Sequence, residues 1–266
     1  MLTLPKIDRV SHIGTMARHR PAWSQYLTQR RRKRIAAANV APPPLPLLIP
    51  GLRSWLKADA LSLADDSPVD SWIDSSGSGN DVMQDTGMKM PTFKTNILNG
   101  LPVVRFDGID DTLFKIAAGG FTCTEGHTVI AVLNPTTAVG YGMAVVTNPI
   151  FNEMRQTGGG GIAEWMIPSG SYQVDSVSSL EGLWAIWSGT YSVASQLIEL
   201  FINGVSQGTQ LDDTAPLAVS DIYIGSRTDA YHWLGDIAEV LVYDAALGAS
   251  DREAIETYLI EKYALA

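Results

Sequence analysis

Beyond Pro50 the apolar residues of this chain come in short runs rich in Val, Ile, Thr and aromatics, each closed by a cluster of Gly, Asn, Asp, Ser or Pro. β-Branched and aromatic side chains suit a pleated surface, and the small polar residues supply the turns between strands. The pattern predicts an all-β domain. Leu197-Ile198-Glu199-Leu200-Phe201-Ile202 shows the repeating unit, because it runs into Asn203-Gly204, the pair that best tolerates the positive φ angles of a two-residue hairpin. With 266 residues, 45% of them hydrophobic, the chain can bury one large core. Cys123 is the only cysteine, so no intrachain disulfide can brace the fold, which must stand on that core.

The first fifty residues differ in kind. Lys6, Arg9, Arg18, Arg20, Arg30, Arg31, Arg32, Lys33 and Arg34 face the single acid Asp8, a charge of +8, whereas residues 51–266 hold 10 bases and 27 acids, a charge of −17. Two regions of opposite sign are expected to have different partners. The run from Ala41 to Pro50 is proline-rich and is expected to form a stiff polyproline II spacer, which sets the domain boundary at 50/51. Residues 21–38 fit a helix with Trp23 and Leu27 on one face. The cations Arg30, Arg31, Arg32, Lys33 and Arg34 repel one another and belong in water or against anions. Of the anions open to them, an acidic protein face in an assembly is favoured over nucleic acid. No apolar run reaches the roughly 18 residues of a membrane span, and the first residues lack the apolar core of a secretion signal. Synthesis in a cytoplasm without membrane insertion is the expectation.

Several segments past Pro50 combine into a familiar order. Trp72-Ile73-Asp74-Ser75-Ser76-Gly77-Ser78-Gly79-Asn80 and Val104-Arg105-Phe106-Asp107-Gly108-Ile109-Asp110-Asp111 are followed by the strand His127–Leu133. Further on come Leu183–Tyr191, Ile222–Ser226 and Trp233–Asp244. The order resembles bacterial and phage LamG-like domains of the concanavalin A-like lectin/glucanase superfamily, over about residues 51–266. The resemblance implies a two-sheet antiparallel jelly-roll β-sandwich. Ser250 and Glu253 read as a capping box opening a C-terminal helix over about 251–263, with Ile255, Tyr258 and Leu259 on one face.

Hydrolases of that superfamily carry acids alternating along one strand, and no segment here has the E-x-D-x-E pattern. Asp236 and Glu239 are an odd number of positions apart, which puts them on opposite faces of a regular strand. His12, His19, His127 and His232 are dispersed, without metal-site spacing. Gly158–Gly161 lacks the Lys-Ser/Thr of a phosphate loop and reads as a plain loop. The resemblance implies a rim where calcium could bind, with Asp107, Asp110 and Asp111 as candidates, although these residues also suit a simple turn. Sugar binding needs an aromatic face offered to the ligand. Trp165, Tyr172, Tyr231 and Trp233 fall in or beside expected loops and are the candidates.

These readings favour a binding or assembly protein over an enzyme. The leading expectation is a virion structural protein of a bacteriophage, a capsid decoration or tail component, joined to other virion proteins and to copies of itself through its arm. The alternative is a carbohydrate-binding adhesin module for cell-surface glycans. No cofactor other than calcium is expected.

Overall fold

A computed structural model describes residues 44–116, 121–136, 140–148, 152–158, 161–167, 172–212 and 217–265. The helix expected over 21–38 and the cations Arg30–Arg34 lie outside these residues. The compact unit runs from Pro44 to Ala266.

Its strands are β1 (Leu52–Lys57), β2 (Ser71–Trp72), β3 (Val82–Met83), β4 (Thr92–Leu98), β5 (Leu101–Asp107) and β6 (Leu113–Lys115). Next come β7 (Phe121–Cys123), β8 (Gly126–Pro135), β9 (Gly142–Asn148), β10 (Asn152–Gln156), β11 (Ile162–Ile167) and β12 (Tyr172–Ser179). The last six are β13 (Ala185–Ser192), β14 (Leu197–Ile202), β15 (Val205–Leu211), β16 (Leu217–Val219), β17 (Asp221–Ile224) and β18 (Leu234–Tyr243), and helix α1 (Ala249–Tyr263) follows. One sheet has the order β15-β14-β13-β8-β18-β5-β4, with β1 also on β18, and the other β12-β11-β10-β9-β17-β6-β3-β2. β16 and β7 form a separate pair. This is the expected antiparallel sandwich.

The two sheets enclose a core that includes Trp72, Phe106, Trp165, Trp187 and Trp233. Its fit is tight enough to dictate Gly189, since a Cβ there would stand 2.3 Å from the Trp165 ring. A second cluster, with Trp55, Ile130, Val132, Ile186, Leu241 and Tyr243, lies between the first sheet and α1, which contributes Ile255, Leu259 and Tyr263. The first sheet is therefore covered on both faces, which explains why β8 and β18 read as almost unbroken apolar runs.

Three local expectations change. Pro44–Ile49 does not extend as polyproline: Leu45–Leu48 form one 3-10 turn, Ile49 joins the second cluster, and the Tyr243 hydroxyl donates to the Pro46 carbonyl at 3.3 Å. Burial of Leu45 and Ile49 outweighs the proline preference. Helix α1 starts at Ala249 behind Gly248 without a side-chain cap, so Ser250 lies inside the first turn and no capping box forms. In β18 the register against β8 shifts between Ile237 and Glu239. Ile237, Val240 and Val242 consequently face the inter-sheet core, while Ala238, Leu241 and Tyr243 face α1. The bulge brings Glu239 onto the face of Asp236, so the two acids share a face despite their odd spacing.

Candidate functional site

The outer face of the second sheet is built by alternation. Ile222 and Ile224 point into the core, which leaves Tyr223 outward, and Leu113 likewise leaves Phe114 outward. Direct cross-strand pairing aligns Met83, Phe114, Tyr223, Val146, Glu153, Met166 and Gln173 into one row across seven strands. At one end of the row the Phe114 and Tyr223 rings lie 6.0 Å apart with 30° between their planes. They line a cleft of about 330 Å³ whose other walls are Gln84, Asp85, Thr86, Lys89, Thr112, Thr228 and Asp229. An apolar floor ringed by a few fixed polar groups is the usual form of a small-ligand site.

The rim is held in place. Lys89 Nζ donates to both Asp229 carboxylate oxygens, at 2.6 and 2.7 Å, and this contact holds the Asp229 carboxyl below its ordinary range. The Gln84 amide donates to the Thr112 carbonyl at 3.1 Å. Thr228, Asp229 and Tyr231 all have positive φ, at 49°, 74° and 56°. A β-branched residue rarely adopts that conformation, and such strain gathers at binding sites. Reciprocal backbone hydrogen bonds between Arg227 and Ala230 close the loop, and His232 Nδ1 donates to the Asp111 carbonyl at 3.2 Å.

Further along the row the outer face is buried and charged. Arg155 donates to Glu164 and, at 3.0 Å, to Glu153, while Arg227 Nε lies 3.2 Å from the other Glu153 oxygen. Burial pushes both carboxyls upward, and the guanidiniums oppose it. The Arg155 guanidinium lies 4.5 Å from the centre of the Tyr141 ring, and Tyr141 meets Tyr231 edge to face at 6.4 Å. Both tyrosines are exposed. A glycosidase needs two carboxylates facing an open groove. Glu153 and Glu164 are instead covered and share one guanidinium.

Asp107, Asp110 and Asp111 bring carboxylate oxygens within 4.8 Å of one another. Three oxygens suit a hard cation. They also hold the turn, since Asp111 accepts from the Asp107 N–H and Asp107 accepts from the Ile109 N–H, both at 2.8 Å. Burial, with the neighbouring acids adding to it, pushes the Asp111 carboxyl up to about 7.

Residues 107–251, more than half of the chain, match the family described as the concanavalin A-like lectin/glucanases superfamily. The chain belongs to this superfamily. Several solved structures share the sandwich at low identity. Domain 4 of AbnA, a GH43 extracellular arabinanase from Geobacillus stearothermophilus, solved with arabinotriose, is 15% identical over 77% of this chain and 98% of that one, with a TM-score of 0.57. The receptor-binding domain of the botulinum neurotoxin C/D mosaic serotype is 12% identical over 79% and 52%, with a TM-score of 0.56. A Trypanosoma rangeli sialidase is 11% identical over 88% and 38%, with a TM-score of 0.53. This chain thus spans about half of the toxin domain and a smaller part of the sialidase. No curated protein sequence matches the chain.

Of the four aromatic residues expected to meet a sugar, the structure buries two. Trp165 and Trp233 are in the inter-sheet core, where the Trp165 indole N–H donates to the Thr190 carbonyl at 3.1 Å, so neither ring is offered to a ligand. Trp165 faces inward by the alternation of β11, whereas Trp233 stands just before β18 with its backbone N–H donating to the Gly225 carbonyl at 2.8 Å. Tyr172 is partly buried against the same core. Tyr231 is exposed and lies beside the rim residues Thr228 and Asp229. The sequence reading missed Phe114 and Tyr223, although Ile-Tyr-Ile at 222–224 signals a single outward aromatic. It also missed Glu153 and Arg155 of β10, the latter directly opposite Glu164 on β11.

Proposed function

We propose that the Pro44–Ala266 unit is a lectin-like, non-catalytic glycan-binding domain whose ligand lies on Phe114 and Tyr223. The observation that carries this reading is the paired aromatic floor inside a polar, strained and braced rim. Carbon–hydrogen faces of a sugar ring pack on such rings, while Gln84, Asp85, Thr86, Lys89 and Asp229 supply hydrogen-bond partners for hydroxyls. Domain 4 of AbnA, solved with arabinotriose, is a precedent for a sugar on this fold. Hydrolysis is disfavoured because Glu153 and Glu164 are bound to Arg155. The test is a glycan array probed with the full chain, in which binding that Tyr223→Ala abolishes supports the reading and an array without binding contradicts it.

The basic arm supports a finer reading, a structural protein of a phage particle that displays this domain. Its +8 charge against −17 for the remainder is the supporting observation. Arg30, Arg31, Arg32, Lys33 and Arg34 would contact acidic faces of neighbouring virion subunits. A full chain carrying Gln at all five positions should lose occupancy on particles. Undiminished occupancy would sink the anchoring role.

A further inference from the structure

The cleft's charge arrangement narrows the class of glycan, given the reading of it as a sugar site. Its wall contains two carboxylates, Asp85 and Asp229, and one cation, Lys89. Lys89 Nζ already donates to both oxygens of Asp229. Asp229 stays ionised because that contact favours its charged form. A ligand carboxylate would therefore have to displace Asp229 from Lys89 and remain close to Asp85, in a domain whose overall charge is strongly negative. The cations next along the row are also committed: Arg155 to Glu164 and Glu153 with Tyr141 against it, and Arg227 to Glu153.

The floor adds a direction. Met83, Phe114 and Tyr223 are directly opposed on β3, β6 and β17. Adjacent strands lie about 4.8 Å apart, close to the width of one pyranose ring. Met83 is exposed, so the apolar floor continues past the aromatic pair. An oligosaccharide running across the strands would set successive rings on successive side chains. We infer that this site selects neutral oligosaccharides and rejects sialylated ones, with Lys89 and Asp229 as the pair that sets this specificity.

The experiment titrates the full chain, by calorimetry, with lactose, arabinotriose, cellotriose and 3′-sialyllactose. At least one neutral sugar is expected to bind, with 3′-sialyllactose at least about tenfold weaker than that sugar. Asp229→Asn, which frees Lys89 to meet an acid, should narrow the gap between neutral and sialylated ligands. Its unchanged thermal melting would show that it folds. If 3′-sialyllactose binds as well as or better than every neutral sugar, the specificity is wrong and the glycan reading survives. If Asp229→Asn folds and leaves the ratio unchanged, the assignment to this ion pair is overturned. If no sugar binds, both readings fall together.

Discussion

Arg227 Nε lies 3.2 Å from Glu153 Oε1, which fastens the loop that rims the cleft to a strand two places away across the second sheet. Glu153 is fully buried, and burial pushes its carboxyl upward while Arg227 and Arg155 act against that shift.

Replacing Arg227 with Met should therefore act twice. A buried carboxylate oxygen loses its cation, which costs about 1–3 kcal/mol in urea unfolding. Thr228 and Asp229 lose their anchor, so affinity for the glycan should fall as well. Unchanged stability and unchanged affinity would show that the contact fastens nothing.

The Tyr263 hydroxyl donates to Glu239 at 2.8 Å and Lys262 Nζ to its same oxygen at 2.6 Å, while the Trp55 indole N–H donates to the other oxygen. This carboxylate docks α1 to the first sheet. Glu239→Ala leaves the buried Trp55 indole and Tyr263 hydroxyl without this acceptor and Lys262 with Asp59 alone, and should cost about 3 kcal/mol or more. Denaturant titration of the full chain measures it.

Two buried groups titrate in opposition. Asp111 has its pKa raised from 3.8 to about 7, chiefly by burial, so its contribution to stability is present below pH 4 and is lost as pH rises toward 7. His127, fully buried with Nδ1 donating to the Tyr243 carbonyl at 2.9 Å, has its pKa lowered from 6.5 to about 4, again by burial. Its contribution is present above 6.5 and is lost as pH falls toward 4. The two slopes oppose each other across the same window. Asp111→Asn should remove the first, so the variant's melting temperature should climb between pH 4 and 6.5 more steeply than that of the unsubstituted protein. Parallel pH curves would contradict this.

Much of the fold was legible because its determinants are local. Ile-Tyr-Ile, Asn203-Gly204 and the covered runs of β8 and β18 each fix a strand or turn through alternation or φ preference. Asn203 and Gly204 do adopt positive φ, at 48° and 79°. Legibility failed where distant contacts decide. The Pro44–Ile49 turn forms because the second core takes Leu45 and Ile49, and the β18 bulge depends on its partner strands. The site was harder still. Tyr223, between Ile222 and Ile224, shows its outward side by simple alternation, whereas Trp165, between Glu164 and Met166, gives no such sign, and only the strand's place in the sheet turns it into the core. Likewise Arg155 and Glu164 lie in different strands, and their meeting depends on the hairpin between them.

The central claim is that Tyr223 and its neighbour Phe114 form the floor on which a glycan lies. Calorimetric titration of the full chain with a sugar identified on the array should show Tyr223→Ala weakening affinity at least about tenfold, or about 1.4 kcal/mol. Leu211→Ser, on the exposed edge strand β15, should leave the affinity unchanged. Equal affinity for the Tyr223→Ala variant and the unsubstituted chain would contradict the account.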